Sequence, residues 1–364
     1  MKSRRLKRSV WALAALACAA VVLVAAQLLL PQEMILERVK GELEEAWGVR
    51  PDVKGFGCTI LGTFRVEEIR GSDSTSWVRI GAAAEGVRGR VSLPALLGGR
   101  VKIWAEAEEL RVRVISYLDS ESEALLTGVS LHAAGGSSQG ETRMRLAAAS
   151  AEVDEVKGGR VEIKAVDRHS KFVVEEAYWD LTPGWLRFDG EFGRAGNPYL
   201  DAQVEVEGVD LARVPPAQAV ARGSVSGRAE ARGGVESGWG EASISFSVKE
   251  GKLMPEALEG LEGLSKVRQM ALGTGEFDGG LPFRELSASL AANAAGVTVR
   301  SFGISGEGYS MRGTGFASIT GKLSFLLRGD FGEQGKGNIT IEGTISSPEV
   351  SWIPAEGVTG VSVR

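Results

Sequence analysis

The sequence predicts a mainly β protein carried behind one N-terminal transmembrane helix. Three observations predict it: an uncharged run from Ser9 to Leu30, a two-residue apolar period over most of the chain after it, and 49 glycines in 364 residues. Glycine at nearly twice the usual ~7%, without a collagen repeat, fits many strands joined by turns that need positive φ. Hydrophobic content of 43% and charged content of 24% are those of folded proteins, so disorder is not the default.

The anchor is read first. Residues 1–8 form a basic tail holding Lys2, Arg4, Arg5, Lys7 and Arg8. Residues 9–30 follow without a charge, with Trp11, Leu16, Val22 and Leu28 as anchor residues. At ~1.5 Å rise per residue such a helix crosses a hydrocarbon core of ~30 Å. Glu33, Glu37, Glu42, Glu44 and Glu45 crowd the far side, so the positive-inside rule puts the N-terminus in the cytoplasm and everything after Pro31 outside. A cleaved signal peptide also has a basic start, but its apolar stretch is shorter. Leu28-Leu29-Leu30-Pro31 is a poor cleavage site and favours retention, whereas Val24-Ala25-Ala26 is a passable one. A lipoprotein at Cys18 is disfavoured because Ala15 stands where a Leu is expected.

Removing the five basic residues of the tail leaves 37 basic against 47 acidic groups, a net charge of −10. An acidic body without a basic run argues against a nucleic-acid partner. Two cysteines, Cys18 in the apolar run and Cys58 alone, make no disulfide framework.

Residues 33–47 predict a short helix, with Ile35, Val39, Leu43 and Trp47 on one face and Gly48 closing it. From there the period becomes two. Val87, Gly89, Val91 and Leu93 alternate with Arg88, Arg90 and Ser92; Val101, Ile103 and Ala105 alternate with Lys102, Trp104 and Glu106. Val112 and Val114, Val161 and Ile163, and Val204 and Val206 sit between polar partners. Serines separate Ile244, Phe246 and Val248, and the same spacing returns in Leu323, Phe325 and Leu327 and in Ile339 and Ile341. Alternation of this kind marks antiparallel strands with one apolar and one wetted face. One amphipathic helix is expected near 255–272, starting at Pro255, stopping at Gly273 and striped by Leu258, Leu261, Leu264 and Val267. Glu256, Glu259 and Glu262 on its polar side suit a helix that packs on the sheet or covers its open end, not one that seeks a membrane.

Catalytic chemistry is not spelled out. His132 and His169 are the only histidines and stand far apart, so no zinc site is predicted. There is no G-x-S-x-G elbow, Walker loop or G-x-G-x-x-G after a strand. Asp201, Glu205, Glu207 and Asp210 alternate with apolar residues as a solvated sheet face would, rather than as an acid–base pair. The tryptophans, Trp77, Trp104, Trp179, Trp185 and Trp239 among them, are expected to pack or edge a sheet, with a sugar-binding platform as the alternative. No enzyme, cofactor or metal is expected.

Two stretches carry a resemblance. The first runs from the helix Met34–Trp47 through the strand Thr63–Arg70, the run from Val78 through Leu96-Leu97-Gly98 to Ile103, and Leu110–Val114. The second is the C-terminal third, with Phe283-Arg284-Glu285-Leu286, Ala295–Val299, Met311–Ala317, Lys322–Phe325 and Ile341–Pro348. Together they resemble the AsmA-like family of diderm bacteria, relatives of the bridge-type lipid-transfer proteins that begin with a chorein-like segment. The resemblance divides the body into a chorein-like part (31–115), a central β-sheet (116–250) that matches only in period, and an AsmA-like C-terminal module (251–364). It implies an elongated, curled antiparallel sheet, U-shaped in section, whose apolar groove takes phospholipid or another envelope lipid. The groove would be lined by Val112, Val114, Val161, Ile163, Val204, Val206, Ile244, Phe246, Val248, Leu323, Phe325, Leu327, Ile339 and Ile341. It also implies a single-pass protein of the inner membrane with its bulk in the periplasm, serving outer-membrane biogenesis or envelope homeostasis. The alternative branch is a structural or assembly factor, similar to the N component of type II secretion or to an aid in outer-membrane protein assembly, acting through strand edges on envelope proteins. A closed β-sandwich would give the same alternation as a groove.

Overall fold

The computed structural model describes residues 36, 37, 40 and 51–355, except 60–61, 75–77, 93–99, 117–120, 137–140, 169, 194–198, 215–216, 235–239, 255–279, 333–334 and 346. The expected helices at 9–30 and 255–272 lie outside the described residues. Of the helix expected at 33–47 only Leu36, Glu37 and Lys40 are described, all of them helical. Among the described residues no helix is long and apolar enough to cross a membrane.

Among the described residues the body is mainly β, as its period requires. The chain divides into two compact units, Met1–Val153 and Asp154–Arg364, a different division from the 31–115, 116–250 and 251–364 segments read from sequence. Unit 1 contains β1 (Asp52–Lys54), β2 (Gly57–Cys58), β3 (Thr63–Ser74), β4 (Val78–Val91), β5 (Arg100–Ser116), β6 (Glu121–Gly136), β7 (Glu141–Ala148) and β8 (Ser150–Val153). Unit 2 contains β9 (Val156–Gly158), β10 (Val161–Arg168), β11 (Lys171–Asp180), β12 (Trp185–Gly193), β13 (Tyr199–Asp210), β14 (Ala221–Gly234), β15 (Glu241–Leu253), β16 (Leu281–Asn293), β17 (Gly296–Ser305), β18 (Ser310–Ser318), β19 (Lys322–Asp330), β20 (Lys336–Thr344) and β21 (Ser347–Pro354). A 3-10 turn, Leu211–Arg213, and one turn of helix, α1 (Ala217–Val220), join β13 to β14. Asp210 caps the 3-10 turn by accepting from the Ala212 amide at 2.9 Å.

Within unit 1, β3 to β6 pair in chain order, antiparallel; β1 and β2 flank β3, and β7 and β8 share the far side of β6. Residues directly opposite in an antiparallel pair share a face. The rows Phe64–Gly89–Ala105–Leu131–Leu146 and Ile69–Ala84–Leu110–Leu126–Ala151 therefore define its apolar face. Between these rows the ladder is interrupted at Glu67, Gly86, Glu108 and Gly128, which stand opposite one another on four successive strands. Gly86 and Gly128 have φ of 63° and 59°, a region costly for residues with a Cβ. The extra residue in each strand shifts the alternation by one. Val66 and Ile69, three apart, consequently pack in one cluster with Val87 and Ala105.

In unit 2 β10 to β21 form an uninterrupted antiparallel meander. No pairing joins β21 back to β10, so this sheet is not closed into a barrel. Many of the glycines lie inside strands rather than in turns. Gly315 faces Phe325, Gly251 faces Phe283 and, in unit 1, Gly89 faces Phe64; a Cβ at any of the three would enter the aromatic ring. Each ring lies flat on the strand beside it because that strand offers no side chain there. This second use, alongside turns, accounts for the glycine excess that the sequence reading assigned to turns.

Candidate functional site

The cross-strand register of unit 2 gathers the apolar residues of all its long strands onto one face. One row of opposite residues runs Ile163, Ala177, Phe188, Val204, Ala229, Ile244, Leu290, Val299, Gly315, Phe325, Ile341 and Val350. The next runs Val161, Trp179, Leu186, Val206, Gly227, Phe246, Ala288, Phe302, Gly313, Leu327, Ile339 and Trp352. Val248 lies one row beyond, opposite Val225 and Leu286, and Leu323 one row to the other side, opposite Ala317. The twelve residues predicted from this part of the chain thus share one face in four adjacent rows. In unit 1, Val112 lies opposite Ala82 and Ala124, and Val114 opposite Ile80 and Ser122, on the apolar face of that sheet.

The face is uneven in depth. Along the row of Val248 and over β19 and β20 it is sealed: Val248, Leu286, Ile304, Met311, Leu327, Ile339 and Ile341 are buried with Leu281, Phe283, Tyr309 and Phe331. The Tyr309 hydroxyl, donating to the Pro282 carbonyl at 2.7 Å, ties this layer down, and the Phe331 and Trp352 rings meet at 5.5 Å. Burial pushes the Tyr309 phenol up to about 12. Further along, the face is open: Ile244 is 40% exposed, Val297 39% and Phe192 52%. Val204, Phe188, Leu290 and Phe325 are half-buried.

Five of the predicted groove residues are covered in this structure. Val161, Val248, Leu327, Ile339 and Ile341 are all buried, Ile339 completely; they are core, because neighbouring side chains already occupy the space a ligand would need. Ile163, Val204, Val206, Ile244, Phe246, Leu323 and Phe325 remain open or half-open. The sequence reading missed Phe188, Leu290, Val299 and Phe302, which complete the open rows. Their signal was present, since each sits two residues from another apolar or small residue within an alternating strand.

The opposite face of unit 2 is polar. Glu162, Tyr178, Arg187, Glu205, Arg228, Ser245 and Ser289 form one of its rows. Cross-strand ion pairs cover it, among them Lys164–Glu176 at 2.6 Å, Lys171–Glu191 at 2.6 Å and Arg232–Asp201 at 3.1 Å. The Lys164 hydrogen bond holds the Glu176 carboxyl below its usual range, and Lys171 with the Tyr199 hydroxyl does the same for Glu191. A concavity of about 500 Å³ opens here, between Asp189, Glu191, Asp201, Gln203, Arg228 and Arg232. Two of its acids are paired, Glu191 with Lys171 and Asp201 with Arg232. The expected solvated role of Asp201 and Glu205 agrees with these positions. In unit 1, burial pushes the Cys58 thiol up, away from a reactive thiolate. Among the described residues no three His, Cys, Asp or Glu side chains are grouped to hold a metal.

The fold and this face define a class: an open antiparallel sheet, apolar on one side and charged on the other, with the apolar side only partly covered. No protein-family model, curated protein or solved structure matches the chain.

Proposed function

We propose that the open part of the apolar face is a lipid-binding groove, and that the protein is a membrane-anchored, AsmA-like factor that holds or transfers phospholipid or another envelope lipid in the periplasm. The sheet would curl along its length into a trough, U-shaped in section, with the open rows inside. The observation that carries the reading is the exposure of Ile244 in a row that is core at Ile341, with Val297 and Phe192 exposed on the same face. A two-layer sandwich would bury these positions. Left to water, each such side chain forgoes ~25 cal/mol per Å² of apolar surface, which acyl chains laid along the rows would recover. Binding of this kind works by shape and apolarity, without a reaction. The sequence supplies the rest of the reading: the apolar run at 9–30 as anchor, and the basic tail at 1–8, which by the positive-inside rule suits a body outside the cytoplasm.

The alternative of an assembly factor working through strand edges has less support. Among the described residues the outer edge of β21 is unpaired, but Pro348 and Pro354 near its two ends and the exposed Glu349 are the features that blunt an edge against pairing.

A photo-crosslinking amino acid placed at Ile244 or Val204 of the full chain in native membranes tests the reading. Lipid adducts at both positions, and none at Ser245 or Glu205 on the polar face, are expected. Protein adducts alone at Ile244 would turn the assignment to an assembly factor. No adduct at either apolar position would end the groove reading.

A further inference from the structure

The polar face of unit 1 is not uniform in charge. On the side of the interrupted ladder that holds the β4–β5 and β6–β7 connections, three rows follow one another. They read Arg65–Arg88–Glu106–Ser130, then Thr63–Arg90–Trp104–His132–Arg145, then Lys102–Ala134–Arg143. Six basic side chains and Trp104 are exposed there, against Glu106, Glu141 at the rim and Glu108 at the interruption. Arg65, Arg90 and Lys102 make no ion pair with a described residue, while Arg88 reaches Glu108 at 3.6 Å and Arg143 reaches Glu141 at 2.8 Å. Across the interruption the same face is acidic on balance, and most of its arginines are matched, Arg70 by Glu68 and Arg111 and Arg113 by Glu121 and Glu123. In a body of net charge −10, this segregation leaves one basic area with a large aromatic at its centre.

Trp104 is 46% exposed. It lies on the wetted face, between Arg90 and His132, where an alternating strand would place a polar residue. Neither the core nor the apolar face uses it. Basic side chains around a half-exposed tryptophan suit a surface that is anionic outside and apolar a few Å deeper, since indole settles at the headgroup level while lysine and arginine meet phosphate.

We propose that this basic, tryptophan-centred face of β3–β7 docks on an anionic phospholipid bilayer, making headgroup contacts separate from any lipid held on the apolar face. The occupant follows from charge complementarity and from the chain itself. The apolar run at 9–30 ends only residues 31–51 before β1, so a membrane stands within reach of unit 1 whatever unit 2 binds. The proposal uses that anchor but not the groove, and lipid crosslinking at Ile244 can fail without touching it.

The test uses the full chain reconstituted in vesicles of phosphatidylcholine alone or with about 30 mol% phosphatidylglycerol. The fluorescence difference between the native chain and Trp104→Phe isolates Trp104 from the other tryptophans. In anionic vesicles the Trp104 emission should shift to the blue and its quenching by aqueous acrylamide should fall by about threefold or more. Both changes should be absent in phosphatidylcholine and should vanish in about 0.5 M salt. The variant Arg88→Gln/Arg90→Gln/Lys102→Gln should lose them, and single Arg90→Gln should weaken them. Circular dichroism confirms that each variant keeps its β signal, and the single variant keeps the test decisive if the triple one does not fold. Equal quenching in both vesicle types overturns the proposal, as does equal protection in both, which would mean insertion without charge recognition. Protection by soluble heparin but not by anionic vesicles would also overturn it, in favour of a soluble polyanion.

Discussion

Ile244 on β15 and Ile339 on β20 share a chemistry but not a fate. Both are β-branched, both lie within a strand, and both stand between polar residues, Ser243 and Ser245 in one case and Asn338 and Thr340 in the other. Their rows are adjacent on the same face of the same sheet. Yet Ile339 is 0% exposed and Ile244 40%. The difference comes from residues outside the alternation. Phe283 at the start of β16, Tyr309 just before β18 and Phe331 just after β19 join the buried cluster that holds Ile339. Alternation decides which face a side chain takes; it does not decide what covers that face.

The largest effect that can break this comparison is a pair of truncations. Ile339→Ala should destabilise the protein by about 2–5 kcal/mol, because it removes buried methylenes and leaves a cavity. Ile244→Ala should cost under about 1 kcal/mol, since its side chain is already partly in water. Urea unfolding of both variants decides it, and similar losses would mean that Ile244 is covered in solution and the open face is closed.

This contrast also marks how far the sequence could be read. The period-two pattern located twelve residues of unit 2 on one face, and it did so from single strands, because the period belongs to the backbone itself. Burial could not be read the same way. Phe283 and Phe331 join a buried cluster whose members come from β15 to β20, and their own neighbourhoods in the sequence carry no mark of it. The line of interrupted pairing in unit 1 was legible and went unread. Val66-Glu67-Glu68-Ile69, Ala84-Glu85-Gly86-Val87, Ala107-Glu108-Glu109-Leu110 and Leu126-Thr127-Gly128-Val129 each place two polar or glycine residues between apolar ones, where strict alternation allows one. Four such doublets on successive strands fall opposite one another only after the hairpin registers are known. The basic face around Trp104 escaped for a related reason. Its charges come from β3, β4, β5 and β7 and form no run in the sequence, so the acidic total concealed them.

A smaller effect sharpens the comparison through the glycines. At the covered end a Cβ on Gly329 would meet the Phe331 ring, whereas on Gly190, at the open end, the nearest neighbours stand at 3.1 Å. Gly329→Ala should therefore lift Phe331 from its seat and cost about 1–3 kcal/mol, as overpacking does. Gly190→Ala should cost under about 1 kcal/mol, because its neighbours need shift only slightly. Thermal unfolding of the two variants measures the difference, and an equal response would remove Phe331 as the cover.

The smallest effect separates burial from charge at two tyrosines. Tyr309, 5% exposed, is raised to about 12 by desolvation. Tyr199, 38% exposed, is raised chiefly by its hydrogen bond to Glu191. A phenol whose folded pKa exceeds its unfolded value of ~10 favours the native state while it stays protonated. The Tyr309 contribution is therefore intact below pH ~10 and is lost as the pH rises towards 12, by at most about 2 kcal/mol over that window. At neutral pH Tyr309→Phe should cost about 1 kcal/mol, for the hydrogen bond to Pro282 and the carbonyl left behind. Between pH ~10 and ~12 that cost should shrink and then reverse, because phenylalanine has no proton to lose. Tyr199→Phe should show no such reversal, since Tyr199 is exposed and its hydrogen bond to Glu191 competes with water. Difference unfolding curves of the two variants across this range read the sign directly. If Tyr309→Phe keeps a constant cost up to pH ~12, the phenol is not sealed in, and the covered end of the face is as accessible as the open one.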